Sequence, residues 1–422
     1  MTRPAPLFFY GGRPPTGKTV SRAGPGARHN PNKTEKKERW KPIARLQVIT
    51  QEKLLGLEIE MEMHGNNELI TGTAMNLLSA MSGESAQPRE KGEKKAGKSC
   101  AAAGDQERVE SDVVAIYDNA GIPSIMRRFR KVTNRELFGG SEKTHPAFII
   151  DGVEYDEIYI GVYEGGEIGG KIYSLPHMMV KTNVNMDQYA EMCFSKGEGW
   201  HMMTAQEWGL VANECLRLGT MPHGNTNNGH WHGDPSEEGV AYGDGTRVLT
   251  GSGPATWTHN HRPDGVYDLC GNVWEMLPGC TLDNGVLKAT QGNDMALRKN
   301  WTKEMQNILG KNREPVRIGW REDRSEGISI TTERVCDWGG CCWGDVKTDE
   351  NADVEALREL ALFCGEEESR LWVDATEPAR CLCRGGDWGD GGRAGVFGAV
   401  LSAPRSYVNT DIGGRVAYFK KR

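Results

Sequence analysis

Apolar positions settle into a regular spacing only after about residue 109. Ala147–Ile150 and Glu157–Tyr163 read as strands, the second from the alternation of Ile158, Ile160 and Val162. Met186, Tyr189, Ala190, Cys193 and Phe194 fall at helical spacing, with Gly197 as the stop. A second helix is better marked. Thr204 and Glu207 form a capping box, in which each side chain satisfies a backbone N–H that the helix start leaves unpaired. Trp208, Val211, Ala212, Cys215 and Leu216 make one apolar stripe, and Gly219 ends it. From Gly219 to about residue 350 the chain runs through Gly, Asn, Asp and Trp with little periodicity. Val354, Leu357, Leu360, Ala361 and Phe363 carry a short helical pattern, and Ile412–Phe419 reads as a strand buried on both faces. This order predicts an α+β domain: two helices, small antiparallel sheets and long irregular loops.

Composition sharpens the picture. Gly supplies 54 of 422 residues, and Trp is 12 against 9 Phe. That excludes a helical bundle and points to a loop-rich domain pinned by large aromatic anchors. No apolar run reaches the roughly 18 residues of a membrane-spanning helix. Net charge is −7, yet residues 1–50 hold eleven Lys/Arg and two Glu, so that segment is +9 and the rest −16. Residues 1–108 read as a basic, disordered leader, because their Gly, Pro, Ser and charged stretches bury too little apolar surface to offset ordering. Residues 109–422 form the folded domain. With no secretory h-region at the start, the default location is cytoplasmic or virion-associated. No nucleic-acid partner is expected, since the basic charge lies only in the leader.

Several strings invite a chemical reading. Gly12–Thr19 matches G-x4-G-K-[ST], the phosphate loop, but two prolines remove amide donors and the following residues will not start a helix. His223, His230, His232, His259 and His261 include two H-x-H pairs that a strand would aim at one metal, but here they sit in Gly/Asn-rich loops. Eleven cysteines form no regular framework. Cys336, Cys341, Cys342, Cys381 and Cys383 are crowded, yet their spacing is a poor match to zinc-binding pairs, and they read as reduced thiols. No nucleophile elbow or triad order stands out.

One stretch carries a family likeness. Asp264–Glu275 resembles the G-x-Y-D-x-x-G-N-V-W-E signature of the formylglycine-generating, sulfatase-modifying-factor type of C-type lectin fold. Arg384–Trp388 resembles that family's R-G-G-S-W, and Ile412–Arg415 its I-G-F-R. Gly199–Trp208 and Gly219–Asn225 are more similar to one branch, the variable proteins of diversity-generating retroelements. The likeness runs from about Tyr117 to Arg422, with an insertion at about 281–350. It implies a C-type lectin-like fold in which Asn272, Trp274, Glu275, Arg384, Trp388, Phe397, Arg405 and Arg415 form a fixed frame. Comparable positions help hold calcium in some relatives, which makes Ca²⁺ a candidate ligand, though no cofactor is required. The enzymes of the family use a cysteine pair just after R-G-G-S-W, and here Gly389–Val396 holds none. The chain therefore reads as non-catalytic, with the oxidase and a structural phage or cell-surface component as alternatives.

The retroelement branch implies more. Its template copying turns AAC codons into NNC codons, which never encode Lys, Glu, Gln, Met or Trp. The first four make up 83 of the 422 residues, so a 32-residue window should hold about six at this chain's own rate; Arg384–Arg415 holds none. The variable region is therefore about 384–415. The positions implied to vary are Asp387, Gly389, Asp390, Arg393, Val400, Ser402, Ala403, Tyr407, Asn409, Thr410 and Asp411, all NNC-type residues. They are expected to project outward together and bind a protein or glycan, with Tyr407 as aromatic anchor and Arg393 as charged anchor.

Overall fold

The computed structural model describes residues 112–322 and 327–421. The basic leader, its phosphate-loop string Gly12–Thr19 and Cys100 lie outside the described residues.

The architecture is α+β, built on two main sheets. The first has five strands in the spatial order Val113–Tyr117, Pro123–Arg130, Glu157–Gly161, Val416–Tyr418 and Trp200–Met202, every neighbour antiparallel. Ile158 and Ile160 are fully buried, as their alternation predicts. The strand expected over 412–419 is two strands. Ile412–Gly413 pairs parallel with Trp274–Glu275 in the other sheet, and Val416–Tyr418 pairs between Glu157–Gly161 and Trp200–Met202. Gly413 and Gly414 make the crossing, where a side chain on Gly413 would strike the Lys181 carbonyl.

The second sheet has twelve strands. Its main path runs Trp338–Cys342, Arg370–Asp374, Gly395–Pro404, Arg380–Gly385, Trp274–Asp283, Val286–Ala289, Arg317–Arg321, Ile328–Thr331 and Lys347–Thr348. Much of the stretch read as irregular is therefore sheet. Between Val286 and Thr348 its strands are two to five residues long, too short for alternation to show, and they are stabilised by partners elsewhere in the chain. Ala147–Ile150, read as a strand, begins as a 3-10 turn at Pro146–Phe148, and only Ile149–Ile150 pairs.

Four α-helices are present among the described residues: α1 (Asn134–Phe138), α2 (Met186–Phe194), α3 (Ala205–Leu218) and α4 (Glu355–Glu359). α3 has both halves of its capping box and ends at Gly219 with φ of 69°. Trp208, Val211, Ala212 and Cys215 are buried as expected, but Leu216 is 37% exposed. Gly209 looks wasteful in a helix interior. Its reason is contact: a Cβ there would lie 2.0 Å from the Glu359 carbonyl oxygen at the end of α4. The helix expected over 354–364 stops after Glu359, and Ala361 then takes a left-handed φ of 52°.

The main core joins α3 to Leu277, Leu282, Val396, Phe397, Ala399 and Leu401 of the large sheet. A second cluster joins α2 to Trp274, Met276, Cys381, Cys383, Val400, Ala403 and Ile412. The strands within residues 384–415 thus have side chains in both.

Candidate functional site

The candidate site is a face of the large sheet, with the loops at its margin, held by a buried frame. Gly271 and Asn272 both take positive φ, 75° and 61°. A Cβ on Gly271 would lie 2.0 Å from the Asn225 carbonyl oxygen, so only glycine fits. The Asn272 carboxamide accepts from Val248 N (2.9 Å) and Asn225 Nδ2 (3.1 Å) and donates to Glu164 (2.5 Å). Arg415 is fully buried. It grips Glu275 with Nη2 (2.6 Å) and Nε (3.2 Å), and donates to the carbonyls of Gly161, Val162 and Tyr267. Arg384 donates to the carbonyls of Phe397, Leu360 and Ala361, and burial brings its pKa down to about 10. Trp274 and Phe397 are buried. Trp388 is half-buried, its carbonyl accepting from Asn228 N and its ring 5.6 Å from the Arg247 guanidinium. Arg405 pairs with Asp187 (2.7 Å) over the Trp301 ring.

Burial raises the carboxyls of Glu164, Asp268 and Glu275 around the single guanidinium of Arg415, Asp268 to about 6. Among the described residues no three His, Cys, Asp or Glu side chains converge closely enough to hold a metal ion. The histidines are occupied separately. His223 lies flat on Trp231 (3.5 Å, 7°) with Nδ1 2.9 Å from Glu237. His230 faces the Pro235 carbonyl, His232 the Thr226 hydroxyl and His261 the Met221 carbonyl. His259 accepts from Val266 N, and burial holds its pKa at about 3. The described cysteines are all free.

The eleven positions implied to vary divide. Gly389, Arg393 and Thr410 are exposed, and Asp387, Tyr407 and Asn409 half-buried. Asp390 (8%), Val400 (6%), Ser402 (8%), Ala403 (5%) and Asp411 (8%) are buried, against the expectation that all project outward. The cause for three of them is Gly395–Pro404, an interior strand paired with Arg370–Asp374 on one side and Arg380–Gly385 on the other. Val400 sits between Trp372 and Cys383, and Ala403 beside Cys381. These are floor positions, and Tyr407 and Trp372 pack at their edge.

Sequence reasoning missed part of this face. Trp372 adjoins Val400, and Trp338, 56% exposed, contacts Trp372 with ring centroids 6.3 Å apart. The signal was the alternation in Arg370-Leu371-Trp372-Val373, where Leu371 and Val373 are fully buried and Trp372 is not. Arg370 pairs with Asp390 (3.2 Å) and lies 5.7 Å from the Trp372 ring. Burial together with Asp390 raises Asp387 to about 7, and burial raises Asp411 to about 6. A separate cleft of about 310 Å³, lined by Met186, Leu277, Met295, Trp301 and Met305, includes none of the eleven.

No helix among the described residues is long and apolar enough to cross a membrane. No protein-family model matches the chain, and no curated protein does. Among solved structures, the chain is similar to Treponema denticola variable protein 1, at 13% identity and a TM-score of 0.30, over 72% of this chain and 98% of that one. It is also similar to the Major Tropism Determinant P3c variant, at 11% identity and a TM-score of 0.29, over 73% of this chain and 72% of that one.

Proposed function

We propose that this chain is a non-catalytic ligand-binding protein with a C-type lectin-like fold of the sulfatase-modifying-factor type, whose surface over residues 384–415 is diversified by a retroelement. The observation that carries the reading is compositional: 32 consecutive residues contain no Lys, Glu, Gln or Met, in a chain where these are 83 of 422. The geometry adds support. Arg384, Phe397 and Arg415 are anchored by backbone carbonyls or deep packing, so their neighbours can change without moving the strands. Exchange at Gly389, Arg393, Tyr407, Asn409 and Thr410 alters a rim. Exchange at Val400, Ser402 and Ala403 reshapes the floor beneath it.

The ligand is a protein or glycan held by shape and hydrogen bonds. The oxidase alternative lacks its cysteine pair after Trp388. The buried thiols Cys381 and Cys383 have raised pKa values, which disfavours the thiolate such chemistry needs.

The test is sequencing of sibling gene copies from one population. Differences should concentrate at the eleven positions, spare Arg384, Trp388, Phe397 and Arg415, and match a near-copy of the 384–415 coding segment beside a reverse transcriptase gene. Differences spread evenly along the chain, with no such near-copy, would remove the claim.

A further inference from the structure

We propose that this face, as it stands in this sequence, takes the ammonium or guanidinium of a Lys or Arg on a protein partner. The inference rests on the preceding reading of the same surface and names the chemistry of its ligand. Three carboxylates lie together there. Asp390 Oδ2 accepts from Asp387 N (3.1 Å), and Asp411 is close enough to act electrostatically on Asp387. Among the described residues only Arg370 is ion-paired with any of them, at Asp390 Oδ1. Arg247 lies over Trp388, and Arg393 N donates to the Asp390 carbonyl, but among the described residues neither guanidinium is ion-paired with these carboxylates, so Asp387 and Asp411 are left without a salt bridge.

A second, independent observation points to a missing donor. Asp411 is 8% exposed, and its Oδ1 has no hydrogen-bond partner. A buried carboxylate oxygen without a partner costs free energy that an entering N–H donor returns. Burial already raises the Asp411 and Asp387 carboxyls, and a bound cation would lower both again.

The margin suits an organic cation. Tyr407 is half-buried within electrostatic reach of Asp411, and among the described residues no cation lies over its ring. The protein already uses this pairing within itself, with Arg370 over Trp372 and Arg247 over Trp388. A neutral sugar would leave the charge unanswered, and an acidic one would be repelled.

The experiment pans a random linear heptapeptide library against the full chain at pH 7.5, then measures selected synthetic peptides by calorimetry. Peptides sharing one Lys or Arg should emerge, and their affinity should fall at least tenfold in Asp411→Asn and in Asp387→Asn. A control with Glu142→Gln and Asp156→Asn, exposed carboxylates paired elsewhere, should bind normally. Basic peptides that ignore Asp411→Asn and Asp387→Asn would reveal general attraction to an acidic protein and overturn the proposal. Peptides without a basic residue whose binding is lost in Trp388→Ala or Tyr407→Ala would overturn the cation and leave the binding face standing. Peptides insensitive to all four variants would overturn both.

Discussion

Arg415 ties Glu275 to three backbone carbonyls, and Arg415→Met puts a number on that. The methionine fills the stem's volume but withdraws the charge and every hydrogen bond. Glu275, 0% exposed, would then be buried beside Glu164 and Asp268 with no opposing cation among them, and the carbonyls of Gly161, Val162 and Tyr267 would each lose a donor. Removing one partner of a buried ion pair costs about 3–5 kcal/mol. Carbonyls left short of a donor bring the total to about 4–7 kcal/mol, a large share of the roughly 5–15 kcal/mol that holds a typical domain folded. In urea titrations with a slope near 2–3 kcal/mol per molar, the midpoint should drop by about 2 M. Glu275→Gln in the same chain should recover part of the loss, because the stranded charge is gone, so the double variant should be more stable than Arg415→Met alone. The deficit of the single variant should also shrink as pH falls, because burial already raises the Glu275 carboxyl and its protonation removes the stranded charge. A loss below about 1 kcal/mol, or strict additivity in the double variant, would show that Arg415 is not the electrostatic keystone described above.

Three further outcomes are expected. Burial raises the carboxyls of Glu164, Asp268 (to about 6), Asp411 (to about 6), Asp387 (to about 7) and Glu366 (to about 7). Each contributes stability that is complete below about pH 4 and lost as pH rises through its folded value. Burial lowers His145 and His259, both to about 3, and also His177 and His232, and these act in the opposite sense below about pH 6.5; with Glu275 and Glu359 also raised, four imidazoles oppose seven carboxyls. The melting temperature should therefore fall between pH 5 and 7, less steeply in Asp268→Asn, and a rise over that interval would contradict the assignment. Thr204→Ala should cost about 2 kcal/mol in chemical denaturation, because this hydroxyl is buried and also donates to Asn293 (2.7 Å). Asn185→Ala, a more exposed cap on α2, should cost about half that, and equal losses would deny the extra bond its weight. In a Cys100→Ser background, Cys364 should react with a thiol reagent ahead of every other described cysteine, and Cys215, Cys270 and Cys383 only on unfolding; mass mapping of early adducts checks the order.

What could be read along the chain was what is decided within a few residues. The start and stop of α3 depend on Thr204, Glu207 and Gly219, which lie within one element, and a helix bonds each residue to one four places away. α2 was legible for the same reason, and the burial of Val416 and Ala417 followed from an apolar run. The frame around Asn272, Glu275, Arg384 and Arg415 was legible through a family likeness, not through local physics. Tertiary structure decided the rest. Cys341 and Leu371, or Leu371 and Ala399, are register partners 28 to 30 residues apart, and Arg415 meets Glu275 across 140 positions. No local pattern encodes such pairings, and strands of two to five residues are too brief for alternation to reveal them. The same cause separates floor from rim. Val400 and Tyr407 are both NNC-type residues, but only the strand at Arg370–Asp374 settles that one is buried beside Trp372 while the other reaches solvent.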